Sequence, residues 1–444
     1  MADNGINLIA GVDDKLRVRD AFFMGLQHVL AMDLYIVPII ISGILALSTS
    51  DTAFLIQMTF LAAGLATLIQ TGFGIKLPVM QGPSYVPIGA VVAIGKGLGM
   101  AAVMGAMIPG ALIIALLGKP LRQFGGIVRR IIPPIVGGTV IIVVGIALMP
   151  IAIQGVYTAH GDIGTNCLVG VATASLLVFF TIFGTRLKGI GQMLRLVSVL
   201  LSLSLGTLMA SFFGMVDFTP VASAAWVALP RPFPFGPPTF DLYACLTMAF
   251  IYFVVLVETT GTWFAVSAVT GKELDNESLN GGAMGEGLGC LIGSLFGGLP
   301  VTGYSTNAGI IAITGVASRW AVMAGGVILI ALGLMPKLTS LIACIPEPVI
   351  CGVFGVICVI IAMNGFRVVR DIPLDERSML VIGLPILVTL AAVLMPKELL
   401  YSLPRFAGYL LSSGIAVGAV SAIIFNLILP EQKVEQGRVG EQEE

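Results

Sequence analysis

Two carboxylates of this sequence lie inside long apolar stretches. Glu258 closes an apolar run that begins at Phe250, and Asp33 has apolar neighbours on both sides. A carboxylate in such a place costs a few kcal/mol on membrane-insertion scales, so it normally faces a cavity or a partner. On a helix, Gly261 and Thr262 share the face of Glu258, where the glycine would leave room for a ligand and the threonine would offer a hydroxyl. Glu258 could therefore bind a polar ligand, or it could cap a neighbouring helix.

Asp33 has no evident partner within its own stretch. His28 lies five residues earlier, which on a continuous α-helix is about 140° around the axis, so the two side chains need not touch. An unpaired buried acid is costly, so Asp33 either couples to an ion or pairs with another buried group. For His28, a hydrogen-bonded packing role and a proton-carrying role both stay open.

A third acid, Glu286, is expected to be structural. It falls within a Gly-Glu-Gly sequence near the start of an apolar segment that begins at about residue 281. An acid in a first helical turn is favoured by the helix dipole. On this interpretation, Asp33 is the only acid besides Glu258 that lies well inside an apolar segment.

The composition indicates a membrane protein and excludes several functions. Of 444 residues, 57% are hydrophobic and 11% are charged, against roughly 25% charged residues in soluble domains. The net charge of -1 argues against a nucleic-acid partner. No HExxH, GxSxG, Walker-type or GxGxxG motif occurs, and His28 and His160 are the only histidines, so we predict neither an enzyme nor a bound cofactor. The six cysteines show no CxxC spacing, so no metal site is predicted.

The apolar segments predict an all-α polytopic membrane protein. About fourteen of them approach the ~20 residues that a helix needs to cross a bilayer. The third and tenth, 78–98 and 300–316, are broken by proline and glycine and should be half strand, half helix. Segment 132–138 resembles segment 345–352, seven predicted spans later, and the two broken spans are also seven apart. Two inverted seven-span repeats with paired interrupted spans indicate a transporter, unless these proline-glycine similarities are coincidental.

The tenth span is the most irregular of these segments. It opens with an extended Leu-Pro-Val-Thr-Gly sequence, after which Ser305, Thr306 or Asn307 could serve as the N-cap of a helix. Irregular backbone at membrane depth is tolerated only where protein or a water-filled cavity satisfies its polar groups. Free N–H groups at such a helix start would suit a polar or anionic ligand, so we expect the substrate there.

The predicted organisation follows from the repeat and from the basic residues. Lys15, Arg17 and Arg130 lie on one predicted side, whereas the other side holds fewer basic residues, such as Arg231 and Lys337. This asymmetry places both termini in the cytoplasm of a multi-pass protein of the cell (inner or plasma) membrane. The predicted segments are a cytoplasmic N-terminus, a first repeat, an extracytoplasmic loop, a second repeat and a cytoplasmic tail, at 1–20, 21–215, 216–240, 241–429 and 430–444.

Three short motifs occur in the first, eighth and tenth spans. They are Gln-His-Val-Leu-Ala-Met at 27–32, Glu-Thr-Thr-Gly at 258–261, and Thr-Asn-Ala-Gly at 306–309, the last closing with Thr-Gly at 314–315. In type and order they resemble the motifs of the nucleobase–ascorbate transporters, also called the nucleobase:cation symporter-2 family. The resemblance runs over nearly the whole chain.

This resemblance implies a core domain and a gate domain, usually in a homodimer. It implies transport of uracil, xanthine or urate together with H⁺ or, in some members, Na⁺. Glu258 should accept hydrogen bonds from ring N–H groups of the base. The other residues that it implies around the base or in support of the site are Tyr85, Ser84, Ser305, His28 and Asn307.

Three positions depart from the family pattern. Thr306 stands where Gln or Glu is usual, Thr262 where Asp or His is tied to proton coupling, and Asp33 where an apolar residue is expected. We predict a secondary transporter for a xanthine- or urate-type purine, with uracil next, in which Thr306 and Thr262 face the substrate. Asp33, alone or with Glu258, would take over coupling to H⁺ or Na⁺. The alternative is an anion exchanger or channel of the same inverted-repeat architecture.

Overall fold

The computed structural model describes residues 8–187, 191, 194–195 and 197–430. Residues 1–7 of the predicted N-terminus and 431–444 of the predicted tail lie outside the described residues. The helices up to the long loop are α1 (Val18–Leu30), α2 (Ile36–Ile44), α3 (Thr49–Gly72), α4 (Ile88–Leu98), α5 (Met100–Gly118), α6 (Phe124–Ile131), α7 (Pro134–Thr158), α8 (Ile163–Arg186) and α9 (Ser198–Phe212).

A short helix in the loop and the helices of the second half follow. They are α10 (Thr219–Ser223), α11 (Leu242–Thr270), α12 (Asn276–Phe296), α13 (Thr306–Thr314), α14 (Arg319–Gly333), α15 (Pro336–Ala343), α16 (Glu347–Val369), α17 (Glu376–Val393), α18 (Lys397–Ser402), α19 (Arg405–Leu411) and α20 (Gly414–Ile428). Several of the long helices start at a polar side chain that accepts a bond from the amide three residues on, which satisfies one orphan donor. These N-cap residues are Ser48, Asp162, Asp241, Asp275 and Asp375.

Two three-residue strands from the two halves of the chain pair with each other. Strand β1 (Gln81–Pro83) lies antiparallel to β2 (Val301–Gly303). The pairing extends to the Ser84 amide, which donates to the Pro300 carbonyl at 2.8 Å. Strand β1 contacts α3, and β2 contacts α11 and α12. Each strand is followed by a helix, α4 or α13, which confirms the prediction of two spans that are half strand and half helix.

Several helices are long and apolar enough to cross a membrane. Seven of the described helices meet these criteria of length and hydropathy individually. The number of spans rises to as many as nine if each bent pair of helices is counted as one span. The bent pairs are α14 with α15, at 82°, and α19 with α20, at 87°. The prediction of a helical, multi-span protein is therefore confirmed, while the count of fourteen spans and the core and gate domains stay predictions.

The first span is broken between α1 and α2, at residues 31–35. Pro38 lies in the first turn of α2, where its missing amide is harmless, whereas in one continuous helix its ring would press on the Leu34 carbonyl. Asp33 sits in the break, and its carbonyl accepts the Ile36 amide at 3.0 Å. The helical angle predicted between His28 and Asp33 was therefore wrong, because α1 ends at Leu30.

Helices α7 and α16 pack closely through small residues. A Cβ built on Gly145 of α7 would lie 2.5 Å from the Ala362 amide nitrogen and 2.6 Å from the Cys358 carbonyl oxygen. Both are backbone atoms of α16, so neither can rotate aside. Glycine at this position lets the two backbones approach.

Gly145→Ala is expected to push α7 and α16 apart and to lower the thermal midpoint of the purified protein. Overpacking of this kind costs about 1–3 kcal/mol. Gly383→Ala in α17 is the matched control, because a Cβ there meets nothing within 4 Å and alanine favours a helix. The packing explanation fails if Gly145→Ala has the thermal midpoint of the wild-type protein while Gly383→Ala does not lower it either.

Candidate functional site

A cavity of about 100 Å³ lies beside the strand pair, where α13 begins. Its walls come from α11, from the third and tenth spans, from the break between α1 and α2, and from isoleucines of α7 and α16. Its polar lining residues are Asp33, Tyr85, Glu258, Thr262, Thr302, Tyr304, Ser305 and Thr306. Six predicted site residues therefore meet around one cavity, while Ser84, His28 and Asn307 lie behind its lining.

Glu258 faces this cavity from α11 and is 8% exposed. The Ser84 hydroxyl donates to Glu258 Oε2 at 2.8 Å, and Ser84 Oγ itself accepts the Val86 amide at 3.2 Å. The amide fixes the hydroxyl with its proton directed at the carboxylate. A carboxylate offers about four acceptor positions, so Glu258 retains capacity to accept hydrogen bonds from a ligand.

Asp33 has a partner from another span. The Tyr85 hydroxyl donates to Asp33 Oδ2, and the Tyr85 ring stacks on Phe354 of α16 with centroids 5.6 Å apart. Both Asp33 and Tyr85 line the cavity. The consecutive residues Ser84 and Tyr85 thus hold two different buried carboxylates. The hydrogen bond from Tyr85 provides the partner that the sequence left open for Asp33. The Asp33 carboxylate still lines the cavity.

Two threonines of α11 fix the strand that carries the site. Thr259 Oγ1 accepts the Gly303 amide at 3.0 Å, and Thr262 Oγ1 donates to the Gly303 carbonyl at 3.0 Å. Gly303 is needed here for space, since a Cβ would lie 2.8 Å from Val79 Cγ1 and 2.9 Å from Thr259 Oγ1. The Thr262 hydroxyl, which the sequence assigned to the substrate, lines the cavity but gives its proton to the protein backbone.

His28 and Asn307 form a buried pair beneath the cavity. Asn307 Nδ2 donates to the Tyr304 carbonyl at 2.8 Å, and Asn307 Oδ1 lies 2.8 Å from His28 Nδ1. Because Oδ1 can only accept, His28 carries its proton on Nδ1 in this network. The pair ties α1 to the start of α13, which is consistent with a supporting role and with the packing interpretation of His28.

The start of α13 differs from the sequence prediction. Ser305 is the N-cap residue but makes no side-chain capping bond; instead Asn364 Nδ2 donates to Ser305 Oγ at 3.4 Å. The Asn307 and Ala308 amides bond to the Tyr304 and Ser305 carbonyls, both at 3.2 Å. The prediction of free first-turn amides is therefore wrong for these two groups. Thr306 Oγ1 is buried without a hydrogen-bond partner among the described residues.

Glu286 lies in the middle of α12, so the prediction that it sits in a first turn was wrong. Helix α12 starts at Asn276 behind the Asp275 cap. Asp275, a favoured N-cap residue type, with Glu277 in the first turn was the sequence signal for this earlier start. Glu286 is 1% exposed, and Gln70 Nε2 donates to its Oε2 at 3.0 Å. Asp33 is therefore not the only deep acid besides Glu258.

Gly261 serves helix packing rather than ligand space. A Cβ on Gly261 would lie 2.9 Å from the Gly137 carbonyl oxygen of α7. The sequence expectation of ligand room at Gly261 was wrong, because that face of α11 is filled by α7. Across the described residues, no group of three or more His, Cys, Asp or Glu side chains is arranged to hold a metal ion.

Known proteins resemble nearly the whole chain. The sequence model of the Permease family (Xan_ur_permease) matches residues 19–398. The nucleobase transporter PlUacP of Paenibacillus larvae subsp. larvae is 35% identical over 428 residues, which cover 95% of this chain and 97% of that protein. The uric acid permease PucK of Bacillus subtilis is 36% identical over 412 residues (90% and 93%). A xanthine permease of Bacillus subtilis is 30% identical over 425 residues (93% and 95%).

Solved structures of low sequence identity share the fold. The transmembrane domain of a cyanobacterium bicarbonate transporter, BicA, matches with a TM-score of 0.60 at 16% identity, over 92% of this chain and 98% of its own. The murine Solute Carrier 26 family member A9, an anion transporter in the inward-facing state, matches with a TM-score of 0.63 at 12% identity, over 94% and 69%. At such identities the likeness concerns the fold alone.

Proposed function

We infer the substrate from the premise that this chain belongs to the Permease family (Xan_ur_permease), which makes it a transporter and not an enzyme. We propose that it imports a purine base of the xanthine or urate type, with uracil next, by secondary active transport. The nucleobase, uric acid and xanthine substrates in the names of its relatives support this class. The proposed driving ion is H⁺ or Na⁺.

The buried Glu258 carboxylate is the observation that carries this proposal. It lines a small cavity, and a serine hydroxyl already orients it. Xanthine and urate are planar and present ring N–H groups next to carbonyl oxygens. A carboxylate accepts hydrogen bonds from such N–H groups strongly, and Glu258 presents its carboxylate to the cavity. Tyr85, Ser305 and Thr306 would surround the base, and Ser84, His28 and Asn307 would hold the lining in place.

Radiolabelled uptake tests the substrate class. Cells that express the protein should accumulate labelled xanthine or urate, and excess unlabelled xanthine, urate and then uracil should compete in that order. Bicarbonate and chloride should not compete. Uptake of an anion without competition by any base would overturn the proposal.

Thr306→Gln is expected to change the order of preference among bases rather than to abolish transport. Threonine is shorter than glutamine, and its hydroxyl has no partner within the described part of the chain, so the wild-type pocket has room for a water or a substituent there. A glutamine amide would fill this room and offer a new donor and acceptor to the base. The measurement is the competition profile of Thr306→Gln, with Thr306→Ser as control. An unchanged profile would mean that residue 306 does not face the substrate.

Coupling is proposed to involve Asp33, alone or with Glu258, since Thr262 cannot exchange a proton near neutral pH. Asp33 lies in a break between two helices, bonded to Tyr85 and next to the cavity. Substrate and ion could therefore affect each other through Tyr85. Glu286 is the competing deep acid; it bonds to Gln70 and is not among the residues that line the cavity.

The proposed architecture retains the two inverted seven-span repeats, with core and gate domains, cytoplasmic termini and a homodimer in the cell membrane. The paired broken spans support the repeat. The segment 216–240 would face the outside. A cysteine introduced at Trp226, which is exposed in that segment, should react with a membrane-impermeant maleimide in intact cells, whereas one at Asp371 should not.

An anion exchanger or channel of the same fold is the second candidate, and only the shared fold brings it forward. Both solved structures are transporters of bicarbonate or other anions. Against it, two carboxylates line the cavity and its described lining includes neither lysine nor arginine. Negative groups repel a small inorganic anion such as bicarbonate or chloride at such short range, and such an anion lacks the ring N–H groups that xanthine and urate can donate to Glu258, so the nucleobase proposal stands ahead.

A further inference from the structure

The segment Ile9–Asp14, here called the N-terminal strap, runs beside the connection from α13 to α14. The Ile9 amide donates to the Gly315 carbonyl at 2.7 Å, and the Ala317 amide donates to the Ala10 carbonyl at 2.9 Å. Further along, the Arg319 amide donates to the Val12 carbonyl at 3.0 Å. These bonds, with an isolated parallel bridge between Ala10 and Val316, fasten the strap to the residues that follow α13.

One side chain of the strap, that of Asp13, contacts basic residues from two further elements. Asp13 Oδ1 lies 2.9 Å from Arg319 Nε, and Asp13 Oδ2 lies 3.3 Å from Lys272 Nζ. Lys272 follows the end of α11, and Arg319 is the first residue of α14. Arg319 Nη1 also donates to the Thr71 carbonyl of α3 at 3.2 Å. A single carboxylate therefore connects the end of α11, which carries Glu258, with the start of α14, which follows α13.

The position of the strap matters because two walls of the cavity belong to different segments. Helix α11 supplies Glu258, and the start of α13 supplies Ser305 and Thr306. Helix α13 has nine residues, a length of about 13 Å, and the strap holds its far end at Gly315. A displacement at that end moves the other end of so short a helix. Binding sites tolerate only about 0.5 Å of such displacement.

We propose that the N-terminal strap is a positioning element of the substrate site, with Asp13 as its principal positioning residue. It fixes α13 relative to α11, so that Glu258 and the start of α13 contact the same base. The strap does not touch the base itself. The identity of the ligand rests on the proposed function, whereas the positioning role rests on the contacts of the strap alone.

The expected magnitude follows from exposure. The side chain of Asp13 is 64% exposed, against 34% for Lys272 and 21% for Arg319. Ion pairs of this kind contribute little individually, so Asp13→Asn should raise the Kd for the base about twofold to fivefold. Ile9→Pro removes the shorter of two amide bonds to the Gly315 carbonyl, the other being donated by Ala10 at 3.3 Å. The double variant should raise the Kd about tenfold.

The test uses the full-length protein in nanodiscs, with equilibrium binding of labelled xanthine and of labelled urate. Asp13→Glu should restore the wild-type Kd because it keeps the charge. Asp20→Asn is the matched control for charge, since Asp20 is exposed in the first turn of α1. Leu8→Pro is the control for proline, because the Leu8 amide has no hydrogen bond within the described part of the chain. Both controls should bind like the wild type.

A second readout needs no ligand. Hydrogen exchange of the amides of residues 306–314 should be faster in Asp13→Asn and Ile9→Pro, at an unchanged thermal midpoint. If the wild-type protein binds no base, the proposed function fails, and the exchange data still test the strap. If the wild type binds a base while the strap variants keep its Kd and exchange rates, the inference is overturned. Weaker binding that appears only together with a lower thermal midpoint also overturns it.

Discussion

Glu258→Gln is expected to abolish nucleobase uptake while the amount of protein in the membrane stays normal. The carboxylate accepts hydrogen bonds only, whereas a glutamine amide would turn an N–H donor toward the donors of the base. Truncating one partner of a buried, charged hydrogen bond costs about 2–5 kcal/mol. At about 1.4 kcal/mol per factor of ten, binding should fall by roughly thirtyfold or more. The measurement is radiolabelled uptake beside equilibrium binding by the purified variant.

Two further variants test whether the loss of uptake in Glu258→Gln is specific to the cavity. Glu376→Gln is the control, because Glu376 is exposed in the first turn of α17 and should not affect uptake. Ser84→Ala removes the hydroxyl that donates to Glu258 at 2.8 Å, and a neutral-to-charged bond of this kind contributes about 1.5–3 kcal/mol. Its effect should be smaller than that of Glu258→Gln. Wild-type uptake and binding by Glu258→Gln would remove Glu258 from the site.

Asp33→Asn is expected to uncouple transport from the ion gradient. The variant should still bind the base and exchange it across the membrane, because Glu258 is intact. It should not accumulate the base, because an amide neither takes up a proton near neutral pH nor attracts Na⁺ as a carboxylate does. The measurement is uphill uptake into proteoliposomes under a pH or sodium gradient, beside counterflow without a gradient.

Two comparisons separate coupling from pairing at Asp33. Tyr85→Phe keeps the carboxylate and removes only the hydroxyl that donates to it, so it should alter affinity but retain accumulation. Glu286→Gln tests the other deep acid, which bonds to Gln70. If Asp33→Asn accumulates the base like the parent, Asp33 is structural and the coupling site lies elsewhere. Accumulation that is lost in Glu286→Gln alone would then point to α12.

Local sequence rules were enough to predict the strands and helices that carry the candidate site. Proline and glycine in segments 78–98 and 300–316 predicted a strand followed by a helix, and β1 with α4 and β2 with α13 confirm it. These rules work because a missing amide or an absent Cβ limits the backbone wherever the residue occurs. The motifs around His28, Glu258 and Asn307 likewise predicted the family, and the match over residues 19–398 confirms it.

Other expectations were wrong because tertiary packing or a local cap overrode the apolar pattern. The start of α12 was predicted too late, since the run of hydrophobic residues hid the cap at Asp275, and Glu286 was therefore misplaced. The first span was taken as continuous although Pro38 favours a break before it. For the segment 1–20 the sequence predicted only a cytoplasmic N-terminus, because nothing in it indicates pairing with residues 315–319.

The sequence by itself determined the membrane class, the broken spans, the family and the short set of acids that could bind a ligand or an ion. Each of these depends on residue type and on neighbours a few positions away. Only the tertiary structure decided which of these groups meet. Ser84 and Glu258 are 174 residues apart along the chain, Tyr85 and Asp33 are 52 apart, and His28 and Asn307 are 279 apart. Such pairs form because helices from both halves pack around one strand pair, and no local spacing encodes that packing.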